Sequence, residues 1–167
     1  MAGPEEFDGF VRGHARDLQR AAWLLTGDWQ SAEDLVQASL VEVWRRWDQV
    51  DAPLAYTHRV LMTTFLRWRK RRWNGEVVVV SLPEGESRDD PLGTADLRGD
   101  LVAALRQLPG KQRSVVVLRY FAGLSEQEIA QALGCSTGSV KTHASRALAR
   151  LRVEPALQSI LAEEAHR

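Results

Sequence analysis

Apolar residues recur at helical spacing over two stretches of this chain, and one acidic stretch that contains several glycines and prolines separates them. Between Phe7 and Trp73 the apolar positions lie three or four residues apart, and the same pattern resumes at Leu97. This period places the apolar side chains on one face of each helix. We therefore predict an all-α protein of two small helical domains, at 1–73 and 98–152.

The intervening residues 74–97 show no helical stripe, and five glycines and prolines interrupt them. One basic and six acidic residues give this stretch a net charge of −5. We predict a flexible acidic linker here. Its Val77–Val80 run favours extended structure but is too short to found a sheet. The tail 153–167 carries apolar residues at helical spacing, which suits either packing on the second domain or contact with a partner protein, and packing is favoured.

The balanced total of 22 basic and 22 acidic residues conceals a basic second domain. Residues 98–152 hold nine basic and three acidic groups, a net charge of +6. A basic block of this kind favours a nucleic-acid partner.

Several kinds of site are not expected. Cys135 is the single cysteine, and the four histidines lack metal-ligand spacing, so we predict neither a metal nor a cofactor. A glycine-rich phosphate loop and a nucleophile elbow are both lacking, which disfavours an enzyme. The N-terminal residues do not resemble a signal peptide, and no apolar run approaches the length of a membrane span. The sequence thus predicts a cytoplasmic protein without membrane insertion.

Polar residues mark several helix ends. Ser31 is predicted to cap the second helix, and Ser125 with Glu128 forms a capping box. The run Val115–Val117 locally favours a strand, but its helical surroundings predict a helix.

Residues 124–141 have the pattern of a helix-turn-helix motif. A short capped helix contains the small residue Ala130, and Gly134 allows a left-handed turn before a helix anchored by Val140. The exposed half of the second helix is predicted to enter a major groove. The predicted DNA contacts are Ser136, Thr137, Ser139, Lys141, Thr142, His143 and Arg146.

Two features of the first domain each allow two interpretations. The basic run Arg67–Arg72, beside Trp68 and Trp73, suits single-stranded DNA or a solvated helix end with tryptophans in the core. The helix at 32–44 either docks on a partner or is an ordinary surface helix.

The order of these features resembles the extracytoplasmic-function (ECF, group IV) sigma factors of bacterial RNA polymerase, over about residues 7–152. The segment at 32–40 looks like their core-binding helix, 106–120 is similar to the start of their region 4, and 139–152 resembles their recognition helix. The resemblance implies that region 2 binds core polymerase and opens the minus-ten element, while region 4 reads the minus-thirty-five element.

The resemblance assigns roles to individual residues. The implied core-polymerase contacts are Asp34, Gln37, Leu40 and Val41. The implied minus-ten contacts are Thr63, Thr64, Arg67, Arg69, Lys70, Arg71 and Arg72. Thr63 stands where the family usually has Asn, so a shifted base preference is expected. The acidic linker is expected to thread a basic channel of the polymerase, and many relatives are held inactive by an anti-sigma factor.

The function expected from these observations is promoter-specific initiation by a dissociable polymerase subunit, with core polymerase and promoter DNA as partners. The alternative is a helix-turn-helix transcriptional regulator whose first domain senses a ligand or dimerises. A helical adaptor without DNA contact would leave the basic second domain unexplained.

Overall fold

The computed structural model describes residues 3–73 and 95–151. Seven α-helices lie within these ranges: α1 (Pro4–Thr26), α2 (Trp29–Arg45), α3 (Pro53–Trp73), α4 (Ala95–Arg106), α5 (Gly110–Val116), α6 (Glu126–Leu133) and α7 (Thr137–Leu151). A 3-10 turn follows α2 at Trp47–Gln49, and a π-helical turn extends α5 over Val117–Phe121. The described residues contain no strand, which confirms the predicted all-α class.

Some predictions concern residues outside the described ranges. The Val77–Val80 run, Arg152 and the tail 153–167 are among them, as is most of the predicted linker. The helix α4 begins at Ala95, so residues 95–97 are helical although the sequence pattern placed them in the linker.

The boundary between α1 and α2 depends on two consecutive residues. Gly27 ends α1 with a φ of 74°, a conformation that glycine adopts without strain. Asp28 then caps α2, because its carboxylate accepts a hydrogen bond from the backbone N–H of Ser31 at 2.8 Å. The prediction that Ser31 is the cap was therefore wrong. Ser31 lies inside the first turn and supplies the N–H that is capped.

The local conflict at Val115–Val117 is resolved in favour of helix. Val115 and Val116 end α5, Val117 begins the π-helical turn, and all three side chains are fully buried. Burial among helices outweighs the modest intrinsic preference of valine for strands. The prediction of a helix is confirmed.

The ends of α6 also follow the predicted pattern. The Ser125 hydroxyl accepts a hydrogen bond from the N–H of Glu128 at 3.1 Å. Gly134 ends the helix with a φ of 66°. The chain then turns directly into α7, where the Ser136 hydroxyl caps the N–H of Ser139 at 3.1 Å. The left-handed Gly134 and the Ser136 cap therefore define the turn between the two helices of the motif.

The helices α1, α2 and α3 pack against one another as a bundle, and α5, α6 and α7 pack together in the second half. The two halves also share buried surface. One apolar cluster joins Leu18 and Leu25 of α1 to Leu105 of α4 and Leu151 of α7. The two predicted helical domains are thus in contact along a continuous core.

His58 of α3 is buried in the first bundle with 2% of its surface exposed, and its Nδ1 lacks a hydrogen-bond partner among the described residues. Burial lowers the pKa of His58 to about 4; the charge of Asp17 opposes this shift and that of His14 adds to it. The folded protein therefore holds His58 in its neutral form.

We predict that acid weakens the fold through His58. Between pH 6.5 and about 4 the unfolded chain binds a proton at this residue and the folded chain does not. The contribution of His58 to the free energy of unfolding is therefore fully present above pH 6.5. It declines as the pH falls toward 4, by about 3 kcal/mol for the full shift. Urea denaturation from pH 4.5 to 7.5 measures the slope. His58→Gln should flatten it relative to wild type, and equal slopes in the two proteins would contradict the assignment.

Candidate DNA- and partner-binding surfaces

The helix α7 separates its predicted DNA contacts from its core residues. Val140, Ala144, Ala147 and Leu151 are buried at helical spacing. The opposite side exposes Ser136, Thr137, Lys141, Thr142 and Arg146, while Ser139 and His143 are partly exposed. The structure therefore brings the seven predicted residues to one end and one side of the helix. Such a face can lie in a major groove while α6 crosses the DNA backbone.

Several polar groups on this face already have partners. The hydroxyl of Ser136 lies 3.1 Å from that of Ser139, and the Thr142 hydroxyl donates to the carbonyl of Gly138 at 3.0 Å. Lys141 Nζ lies 3.8 Å from Glu126 of α6. The same carboxylate lies 3.0 Å from the Arg119 guanidinium. Glu126 thus partly neutralises the cationic edge of the motif.

A second basic surface lies in a groove of about 540 Å³ between α2 and α3. Arg59, Thr63, Arg67 and Arg71 line it from successive turns of α3, since each follows the last by four residues. The aromatic residues Tyr56 and Trp68 also line the groove. Cations and rings in one groove suit a single-stranded nucleic acid, because cations hold the backbone and rings stack on bases.

The structure distributes the predicted minus-ten residues over several sides of α3. Thr63, Arg67, Lys70 and Arg71 are exposed. Thr64 is 5% exposed, and its hydroxyl lies 3.4 Å from the Arg67 guanidinium, so Thr64 does not present a free surface. Arg69 points instead toward Gly110 of α5. Arg72 belongs to α3, but its side chain is outside the description.

Arg59 was missing from the sequence prediction although it lines the same groove as Thr63. The signal was available in the sequence, because Arg59 precedes Thr63 by one helical turn. Arg59 stands apart from the dense basic run at 67–72, so local charge density does not mark it.

The exposed face of α2 carries a narrow stripe of four residues. Asp34, Gln37, Val41 and Trp44 are exposed at intervals of three and four, so they lie in one line along the helix. Val41 and Trp44 are 51% and 46% exposed and are the large hydrophobic residues that stand out from the described surface. Exposed apolar side chains in line with polar ones are typical of a protein-binding face.

Two residues of α2 differ from the prediction. Leu40 is buried in the apolar cluster, because it projects from α2 toward the bundle. It supports the helix but does not reach the exposed stripe. Trp44 was not predicted as a contact, although it follows Val41 by three residues. Its ring packs on Phe7 of α1 at 5.0 Å, which holds the exposed indole in place.

Two family models match the chain in the order of these surfaces. Residues 10–75 match the model described as "Sigma-70 region 2", and residues 98–151 match "Sigma-70, region 4". The first match spans most of the α1–α3 bundle with its groove and stripe, and the second spans the helix-turn-helix. The fold and its surfaces therefore define an RNA polymerase sigma factor built from these two regions.

Relatives along nearly the full chain specify the family further. An RNA polymerase sigma-E factor of Streptomyces avermitilis is 43% identical over 152 residues, which cover 89% of this chain and 84% of that protein. The ECF RNA polymerase sigma factor SigE of Mycolicibacterium smegmatis is 34% identical over 91% of this chain and 62% of its own length. The chain belongs to the ECF family of RNA polymerase sigma factors, whose members are transcription initiation factors.

Solved structures show the same fold. The sigma factor RpoE of Bartonella quintana, determined in complex with the anti-sigma factor NepR, aligns with a TM-score of 0.72 at 26% identity. The alignment covers 92% of this chain and 98% of RpoE. CnrH, determined with the cytosolic domain of CnrY, has a TM-score of 0.65 at 24% identity, over 91% of this chain and 88% of CnrH, and supports the fold alone.

Over residues 3–73 and 95–151, no helix combines the length and the apolar content that a membrane crossing requires. The same ranges contain no group of three or more His, Cys, Asp or Glu residues suited to a metal ion.

Proposed function

We propose that this sigma factor directs initiation through three separate surfaces of one chain: the α2 stripe for core polymerase, the α2–α3 groove for the opened minus-ten strand and α7 for the minus-thirty-five duplex. The single observation that carries this proposal is the position of the surfaces. Each presents the chemistry that its partner requires, and each lies within a matched sigma region or at its edge.

The α2 stripe is proposed to bind core polymerase. Asp34 and Gln37 supply polar contacts, and Val41 and Trp44 supply apolar area. Partly exposed tryptophans are frequent anchors of protein interfaces, since they remove a large surface from water at little entropic cost. Because Phe7 already orders the indole, binding loses little further side-chain freedom.

The groove is proposed to receive unpaired bases of the minus-ten element. Arg59, Arg67 and Arg71 would hold the phosphates, and Trp68 and Tyr56 offer ring faces. Thr63 lies among these residues with its hydroxyl 3.1 Å from the carbonyl of Val60. A hydroxyl presents fewer hydrogen-bonding groups than the asparagine amide usual at this position, so the base preference is proposed to differ from that of the family.

The helix α7 is proposed to read duplex DNA. Its side chains Arg146 and Lys141 are suited to phosphates or guanine edges, and Thr137 and Thr142 to smaller base contacts. We infer that the protein is not itself a catalyst and acts in the cytoplasm, where the polymerase transcribes. An anti-sigma partner is proposed by analogy with RpoE, which was determined with NepR.

The primary test is co-migration with bacterial core RNA polymerase in gel filtration at sub-micromolar concentration. Co-migration is expected. A chain that stays free, yet binds paired duplex half-sites as a dimer, would favour a stand-alone helix-turn-helix regulator instead.

Changes in the α2 stripe should weaken this complex. Asp34→Ala with Gln37→Ala, and Trp44→Ala separately, are each expected to reduce core affinity roughly tenfold or more. Glu128→Ala is the matched control, because Glu128 is an exposed carboxylate on α6, away from the α2 stripe. Circular dichroism checks that each variant is folded. Full-strength core binding by both stripe variants would remove this surface from the proposal.

Arg146→Ala should weaken duplex binding and reduce its salt dependence. One lost phosphate contact lowers the slope of log affinity against log salt by about 0.9. Fluorescence anisotropy with a duplex of arbitrary sequence suffices, because phosphate contacts are independent of sequence. Arg45→Ala removes an exposed cation that pairs with Glu42 on α2 and should leave the slope unchanged. An unchanged slope for Arg146→Ala would exclude a phosphate contact.

The groove is tested with single-stranded DNA. Arg59→Ala together with Arg67→Ala should lower affinity for an oligonucleotide several-fold and reduce the salt slope by about 1.4. Arg12→Ala removes an exposed cation on α1 as a control. If the double variant and the control bind equally well, the groove does not hold the strand.

A further inference from the structure

The first residue of α6 is a carboxylate that pairs with cations from two other segments. Glu126 Oε1 lies 3.0 Å from Arg119 Nη1, on the π-helical turn that extends α5. Glu126 Oε2 lies 3.8 Å from Lys141 Nζ on α7. We call these three residues the ion triad. The two oxygens of one carboxylate are thus divided between two cations of the second region.

The ion triad is open to a partner. The side chains of Arg119 and Lys141 are 36% and 68% exposed, and that of Glu126 is 28% exposed. Ion pairs at such positions are weak, because water and salt screen them and long side chains lose freedom when they pair. The triad therefore contributes little to the stability of the fold, and its cations can exchange one anionic partner for another.

The carboxylate lies beside the surface that is proposed to read the duplex. Lys141 belongs to the exposed face of α7, and Glu126 lies within 3.8 Å of its ammonium group. When the second helix of a helix-turn-helix enters the major groove, the first helix crosses the DNA backbone. Glu126 begins that first helix, so a bound duplex brings phosphates toward its negative charge.

Phosphate and carboxylate bind the same cations. Both are oxygen anions that accept charge-assisted hydrogen bonds from guanidinium and ammonium groups. The two cations that reach Glu126 are therefore suited to a phosphate of the DNA backbone, and the carboxylate competes for them. Arg119 and Lys141 also carry like charges, so loss of the carboxylate charge would leave them to repel each other until another anion binds.

Glu128 shares the first turn of α6 but faces elsewhere. Both carboxylates lie at the helix N-terminus, where the helix dipole favours negative charge. Glu128 lines a groove with Arg46 and Tyr56 of the first region, whereas Glu126 reaches Arg119 and Lys141. Position on the helix alone therefore does not account for the ion triad.

We propose that Glu126 is a positioning residue that limits the affinity of the second region for duplex DNA, because it competes with phosphate for Arg119 and Lys141. This inference rests on the duplex reading assigned to α7 above. Phosphate contacts do not depend on sequence, so the carboxylate lowers affinity for every duplex alike. Such a restraint reduces retention on non-promoter DNA, which greatly outnumbers promoter sites in a genome.

Glu126→Gln removes the charge of this side chain and keeps its shape. Glu128→Gln is the matched control, because it makes the same chemical change on the same turn of α6, away from the ion triad. Both variants lose one favourable charge at the helix N-terminus, so any small loss of helix stability is common to them. Circular dichroism of the full-length proteins checks that each is folded.

Fluorescence anisotropy with a duplex of arbitrary sequence measures affinity over a range of salt concentrations. Glu126→Gln should bind roughly three- to tenfold more tightly than wild type at low salt. Its slope of log affinity against log salt should steepen by about 0.9 for one additional neutralised phosphate. Glu128→Gln should change affinity less than about twofold. Unchanged affinity and slope for Glu126→Gln, or an equal gain for Glu128→Gln, would overturn the role of Glu126.

A double-mutant cycle tests whether Glu126 acts through its two partners. In protein that carries Arg119→Ala with Lys141→Ala, the added Glu126→Gln should change affinity no more than Glu128→Gln does, because the paired cations are gone. The full gain in this background would show that the carboxylate repels DNA by its own charge alone. That result would overturn the competition for cations.

The same titrations separate this inference from the proposed function. If wild type and every variant fail to bind the duplex at low salt, the reading of duplex DNA by α7 is wrong, and the role of Glu126 falls with it. If Arg146→Ala weakens binding while Glu126→Gln does not strengthen it, α7 still binds the duplex and only the role of Glu126 is overturned.

Discussion

The guanidinium of Arg113 joins helix ends from distant parts of the chain. Its Nε and Nη2 donate to the carbonyls of Leu105 and Arg106 at the end of α4, and Nη1 donates to Leu25 at the end of α1. The residue is 5% exposed, and a buried charge is tolerated only when hydrogen bonds satisfy it. The planar group has its donors in fixed directions, so it specifies where the acceptors must lie. This requirement couples the placement of α4 and α5 to that of α1.

The arrangement gives α3 two different faces. The side with Arg59, Thr63 and Arg67 lines an open basic groove, whereas Met62 on the other side is buried in the second region. Successive residues of a helix differ in direction by about 100°, so one basic helix can serve both purposes. The basic residues at 67–72 therefore project in different directions: Arg67 and Arg71 line the groove, whereas Arg69 faces α5.

Local signals in the sequence predicted much of the fold. The helical period, the Ser125 cap and Gly134 depend on residues close together in the chain, and the structure confirms them. The period also predicted that Asp34 and Gln37 lie on the face of α2 opposite its apolar stripe, and both are exposed. It also placed Leu40 in the apolar stripe, and the structure buries this residue; only the family resemblance assigned Leu40 to a polymerase contact. Thr64 was likewise assigned to DNA by the resemblance alone, and its burial depends on the packing of α3.

The sequence by itself determined that the chain forms two helical regions with a helix-turn-helix in the second, because periodicity, caps and turn glycines act within a few residues. Its motifs at 32–40, 106–120 and 139–152 were also sufficient to recognise the resemblance to ECF sigma factors. Only the tertiary structure decided that the two regions share a core, that Met62 enters the opposite region and that Arg113 reaches Leu25. These contacts join residues up to 88 positions apart, and they depend on side-chain shape and available carbonyls after the helices have packed.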